Sequence, residues 1–106
     1  MAIYQTAHYQ VRPSAVEKVR KAIETFVGYV RDHEPGTRLY SAWQRKDDPS
    51  RFVHLFLFDD EAAQTQHSES EAVRRFESVY APELVAGPVV FTDYVLVASN
   101  QSGGDG

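Results

Sequence analysis

The chain contains no cysteine, which excludes disulfides, thiolate catalysis and cysteine-ligated metal centres together. It has no Gly-x-Gly-x-x-Gly and no phosphate loop, and its Gly103-Gly104 pair sits in a polar C-terminal stretch. Flavin or nicotinamide binding by the standard dinucleotide fold is therefore unsupported. Gly-x-Ser-x-Gly is absent too, and with it the usual sign of a nucleophilic serine. No apolar run is long enough to span a bilayer, and the N-terminus enters a strand pattern without a charged n-region or apolar h-region. The expectation is a cytoplasmic protein with no membrane association. An excess of basic residues is also missing: the formal charge is −4, and Lys18, Arg20 and Lys21 read as the solvated face of a helix. Nucleic acid is accordingly not an expected partner.

What is present suffices for one core. The 106 residues are 42% apolar with charges of both signs, which predicts a single domain over residues 1–98. A mobile tail, Ser-Asn-Gln-Ser-Gly-Gly-Asp-Gly, is expected over 99–106.

Periodicity sets the elements. Ile3 to Val11 alternates, with Ile3, Ala7, Tyr9 and Val11 on one face and Tyr4, Thr6, His8 and Gln10 on the other. Pro13 and Ser14 end that strand, and Ser14-x-x-Glu17 has the form of a capping box. Val16, Val19, Ile23, Phe26, Val27 and Val30 then recur at three- and four-residue intervals, one stripe of a helix that Pro35 and Gly36 stop near His33. Thr37 to Arg45 and Phe52 to Phe58 read as an antiparallel hairpin around the polar turn Lys46 to Ser50. The second of these strands is apolar on both faces, so both are expected to be covered, the outer one most simply by a second copy of the chain packed sheet to sheet.

Asp59 or Asp60 is placed to cap a short helix through Gln64, and Ser68-x-x-Glu71 to open another carrying Val73, Phe76, Val79 and Tyr80. Pro82, Gly87 and Pro88 punctuate the chain before a last strand, Val89 to Val97. The order β-α-β-β-α-β, with its second helix broken, predicts a ferredoxin-like α+β fold: a four-stranded antiparallel sheet with helices on one face.

Few side chains are suited to chemistry. His67, beside a helix start, can be held in one tautomer and exchange a proton in both directions, or else simply satisfy a backbone group at the junction. His54, in the aromatic face of a strand, needs a hydrogen-bond partner wherever it is buried, as a core, interface or substrate-contacting residue. Trp43 offers a stacking face and an N–H for an aromatic ligand, or fills core. Gln5 and Asp93 interrupt apolar strand faces, and Tyr40 and Tyr80 add a hydroxyl to an apolar ring, so each wants a partner. Tyr40 and Trp43 have opposite strand phase, so an undistorted strand lets only one of them line a given pocket. The i,i+4 pair His67 and Glu71 has metal-ligand spacing but no clear third ligand, and no metal is expected.

Glu34-Pro35-Gly36-Thr37, Tyr40, Asp48-Pro49, the run Phe52 to Phe58, Asp59, and His67 followed by Ser70 together form a pattern that resembles the antibiotic biosynthesis monooxygenase family, small proteins of the dimeric α+β barrel class. The resemblance implies a homodimer joined through sheet faces. Some members oxidise quinols or polycyclic phenols with dioxygen and no cofactor, the deprotonated substrate itself being the electron donor. It implies His67 as proton acceptor, the one role carried by a motif match, in a pocket for a small aromatic molecule. Strand phase adds Gln5, Tyr40, Trp43 and His54 as substrate-binding candidates. A haem-degrading branch pairs a first-strand asparagine with a tryptophan and a histidine of the second helical region. The sole asparagine here is Asn100 and the sole tryptophan is on a strand, which disfavours that branch. The other alternative is a non-catalytic small-ligand binder or stress-associated dimer on the same fold.

Overall fold

The computed structural model describes residues 2–101. The elements are β1 (Ile3–Val11), α1 (Val16–His33), β2 (Thr37–Gln44), β3 (Arg51–Phe58), α2 (Glu61–Ser68), α3 (Glu71–Tyr80) and β4 (Leu84–Tyr94). Strand order is β2-β3-β1-β4, every neighbour antiparallel, which is the ferredoxin-like α+β arrangement expected from the element order. Of the tail expected over 99–106, residues 102–106 lie outside the described range. No helix among the described residues is long and apolar enough to cross a membrane.

The α1 stripe packs inward as its spacing requires. Val19, Ile23, Phe26 and Val30 are buried, with Val16 and Val27 half-buried beside them. They meet Tyr9, Val11 and Phe52 of the sheet and Phe76 and Tyr80 of α3 in one cluster, so both long helices cover the same sheet face. The opposite face is open: Val53, Leu55 and Leu57 are half-buried, and Leu39, Trp43, Val90 and Tyr94 are exposed.

Three sequence readings are corrected. Ser14 does not cap α1; the chain enters through a 3-10 turn over Pro13–Ala15, and the N-cap is Ala15 with no side-chain hydrogen bond. Proline fixes φ for that turn, so the entry needs no serine. Ser68 does not open α3 either. Capped by Asp60, α2 runs through Ser68 itself, and Ser70 accepts from Val73 N to begin α3. The last strand starts at Leu84 and ends at Tyr94, because Gly87-Pro88 forms a bulge within it rather than a turn before it. Ala86 and Gly87 take φ of 61° and 98°, and pairing with β1 shifts between His8 and Gln10.

One glycine is fixed by contact. A Cβ on Gly36 would lie 2.6 Å from Ala63 Cβ, so only glycine lets the turn after α1 approach α2 this closely. Gly36 O also accepts from Asp59 N at 2.8 Å. The close approach brings the end of α1 against the helix that carries His67.

Candidate active site

Between the covered sheet face and the helices lies a cavity of about 390 Å³, lined by residues from every strand and from α1, α2 and α3. Its walls are aromatic: Phe26 lies parallel to Phe76 at 5.1 Å and edge-on to Tyr40 at 5.4 Å, and Tyr40 stacks on Phe56 at 5.0 Å. Two polar networks interrupt them.

The first is built on His67, in the last turn of α2, buried among Phe26, Tyr40, Phe56 and Phe58. Its Nδ1 lies 2.8 Å from Glu34 Oε1. Glu34 is the residue that ends α1, and the Pro35-Gly36 turn folds it inward to 3% exposure. Thr37 donates its hydroxyl to the same oxygen at 3.0 Å, while Oε2 is buried without a partner among the described residues. Glu34 does not line the cavity; it stands behind His67. A carboxylate only accepts, so wherever Glu34 is ionised and the ring neutral, Nδ1 carries the proton and Nε2 keeps its lone pair; Nε2 has no protein partner among the described residues. That is the arrangement of a general base oriented by a carboxylate.

The second network follows from strand register. Ala7 and Ala42 face His54 from the two flanking strands, which makes Tyr9 and Tyr40, two residues along, its diagonal neighbours on the same face. Tyr9 Oη lies 2.7 Å from His54 Nε2, and Tyr40 Oη 2.7 Å from Nδ1. Burial, with a smaller contribution from His67, pushes the His54 pKa down to about 4. Burial likewise raises the Tyr9 and Tyr40 hydroxyls well above the ordinary phenol value and pushes Tyr80 up to about 12. The imidazole is thus neutral and the phenols protonated at neutral pH.

His54 gives stability a pH signature. In the folded chain its ring stays neutral down to about pH 4, whereas the unfolded chain takes up the proton near 6.5. Between those values the unfolded state binds more protons, so stability falls as pH falls, by a His54 share approaching about 3 kcal/mol at pH 4. Denaturant melts of wild type and His54→Gln from pH 7 to 4 should show that share of the slope disappear in the variant; parallel slopes would remove the ring as its source.

The structure brings His67, Tyr40, His54 and Gln5 to one cavity. It places Trp43 elsewhere: the side chain is on the opposite sheet face, 60% exposed, with Leu39, Val53 and Leu55. Strand phase thus selects Tyr40. Gln5 donates to Asp93 Oδ1 at 2.9 Å, so the two polar residues that interrupt their strand faces are partners. His33 is exposed, its Nδ1 3.2 Å from Tyr29 O, and His8 is on the outer face. Glu71 is separated from His67 by the break between α2 and α3, and among the described residues no three His, Asp or Glu side chains group as a metal site. Sequence assigns no site role to Glu34, present only as the first residue of the Glu34-Pro35-Gly36-Thr37 motif, or to Tyr9. Register could have given Tyr9 once His54 was known to need partners; the burial of Glu34 had no local signal.

Comparison with known proteins adds the following. A family model described as antibiotic biosynthesis monooxygenase matches residues 2–78. Among solved structures, a candidate antibiotic biosynthesis monooxygenase from Bacteroides thetaiotaomicron superposes with a TM-score of 0.86 at 15% identity, covering 94% of this chain and 93% of that one. Rv0793 from Mycobacterium tuberculosis gives 0.83 at 19%, covering 95% and 100%. PA3566 from Pseudomonas aeruginosa gives 0.80 at 22%, covering 92% and 95%. At these identities the structures establish the fold alone. No protein of curated function matches the sequence significantly.

Proposed function

The chain belongs to the antibiotic biosynthesis monooxygenase family, and on that premise we propose that it is a cofactor-independent monooxygenase that oxidises a quinol, phenol or polycyclic aromatic with dioxygen. The observation that carries this reading is His67: a buried imidazole in an aromatic cavity, with Nδ1 held by Glu34 and Nε2 free. The proposed substrate ring lies against Phe26, Tyr40, Phe56 and Phe76, and His67 Nε2 removes the proton whose loss makes it electron-rich. The anion gives its electrons to dioxygen and a C–O bond forms at a ring carbon; the O–O bond and that carbon's C–H bond then break, the substrate ends as a quinone, and the second oxygen leaves as water with the ring hydrogen and the proton taken by His67. The protein supplies proton transfer, desolvation and hydrogen bonding to the developing anion, all of which act more strongly in a dry site.

The test is oxygen uptake with a small panel of hydroquinones and polycyclic phenols in metal-free buffer. Enzyme-dependent consumption with an oxygenated product is expected. Tight binding without consumption across the panel would favour a small-ligand binder on the same fold.

The proposal includes a homodimer joined through the open sheet faces. The outer face and the segment after it present Leu39, Trp43, Val90, Tyr94, Val95 and Val97 to solvent, a run of exposed apolar side chains that a monomer rarely sustains. Pairing two such faces gives a core-like interface of roughly 2,000 Å² or more. Sedimentation at low micromolar concentration should show the dimer mass; a folded monomer there overturns this part.

A further inference from the structure

We propose that Tyr9 and His54 are positioning residues that hold the Tyr40 hydroxyl proton toward the cavity, so that the site selects aromatic ligands presenting an acceptor oxygen, a carbonyl or phenolate, to Tyr40. The argument is a count of protons. Tyr9 and Tyr40 each carry one hydroxyl hydrogen, and the neutral His54 ring carries one N–H and one lone pair. Two hydrogen bonds join the three groups, each at 2.7 Å, and they consume two of the three hydrogens. One tyrosine therefore donates to the imidazole, the other accepts from it, and the second tyrosine's own O–H has no protein acceptor among the described residues.

Position decides which one. Both tyrosines line the cavity, but Tyr9 has Phe52 stacked at 5.5 Å and Tyr80 at 5.2 Å, whereas Tyr40 stands beside the base, His67. An O–H left over at Tyr40 faces the place where a ligand oxygen next to the base would accept it, and one left over at Tyr9 would be a donor among aromatic rings without an acceptor, which is the costlier arrangement. The direction is thus Tyr9 O–H to Nε2, Nδ1–H to Tyr40 Oη, and Tyr40 O–H into the cavity, each bond polarising the next. The Tyr40 ring lies 5.5 Å from that of His67, so a ligand oxygen held by Tyr40 sits within one aromatic ring of the base. This deepens the proposed function by naming what the substrate must present, and its test does not require turnover.

The probes are 1,4-naphthoquinone, which offers carbonyl acceptors, and naphthalene, which has the same outline and none; the chain has no thiol for the quinone to alkylate. Equilibrium dialysis gives the ratio of the two affinities. Relative to wild type, the preference for the quinone should fall about tenfold in Tyr40→Phe and by about threefold or more in Tyr9→Phe, from loss of one directed hydrogen bond or of its direction. A variant that merely loosened the cavity would weaken both probes alike and leave the ratio alone. The infrared carbonyl stretch of the quinone bound to wild type should be lowered from its free value and should return toward it in both folded variants; the wild-type shift is a measurement that stands even where a variant folds poorly. An unchanged ratio in either folded variant, an unshifted carbonyl in wild type, or no binding of the quinone at all overturns the proposal. Absence of oxygen uptake would overturn the monooxygenase reading and leave this one standing.

Discussion

Phe26→Ala is expected to lower unfolding free energy by about 3–5 kcal/mol, the range for deleting a fully buried phenylalanine. Phe26 is 4% exposed and joins three other elements to α1, with Phe76 of α3 stacked on it, Tyr40 of β2 against it edge-on, and His67 of α2 5.5 Å away. Truncation leaves a void among side chains fixed to different elements, which cannot all collapse into it. Phe26→Leu separates two contributions: it keeps most of the apolar burial and loses the aromatic pairing, worth about 0.5–1.5 kcal/mol per pair. Denaturant melts measure both. A loss below about 1 kcal/mol for the alanine variant, well under the usual range, would mean that the α1 stripe does not form the core as described.

That stripe was legible because helical and strand periods are set by backbone geometry, and burial then follows from the spacing of Val19, Ile23, Phe26 and Val30. The same holds for β3, whose alternate residues Phe52, His54, Phe56 and Phe58 are all buried. Helix starts were less legible, because Ser-x-x-Glu is a local pattern that several registers satisfy. Ser68 and Ser70 both precede the third helix, and which one caps it depends on how far α2 continues, a matter settled by the packing of Ala63 and His67 beneath it. The Gly87-Pro88 pair failed for a related reason: a residue pair that permits a turn equally permits a bulge, and pairing with β1 decides between them.

In the site, strand phase is enough to find the cavity's strand residues Gln5, Tyr40 and His54, but it does not place Glu34. A carboxylate at a helix end before Pro-Gly normally faces water. Here the turn, closed by Thr37 N donating to Glu34 O at 3.0 Å and pressed against Ala63, rotates it inward to a histidine 33 residues away. The tyrosine pair around His54 is a similar case at shorter range, since it requires the register of three strands at once.

His67→Ala is expected to lower oxygen-dependent turnover on the order of 10²–10⁴-fold, the usual span for lost acid–base help, with the fold intact. His67→Gln should lose turnover as well, because only an imidazole supplies the lone pair that takes the substrate's proton. An amide preserves a hydrogen bond to Glu34 but takes no proton at neutral pH. Glu34→Gln tests the orienting carboxylate. Its amide can turn an N–H toward Nδ1, which then accepts, moving the ring's proton to Nε2 and withdrawing the lone pair from the cavity. The expected result is a fall in kcat with little change in KM, because orientation of the base acts on the transition state while the aromatic walls that bind the substrate are untouched. Stability should move the other way from a simple loss of contact: the variant removes a buried carboxylate whose Oε2 has no partner among the described residues, and a neutral amide is less costly to bury. Full turnover in His67→Gln on a substrate that wild type oxidises would reduce His67 to a structural residue and move the search for the base to His54 or solvent. Full turnover in Glu34→Gln alone would keep His67 as the base and show that the aromatic cage, rather than the carboxylate, orients it.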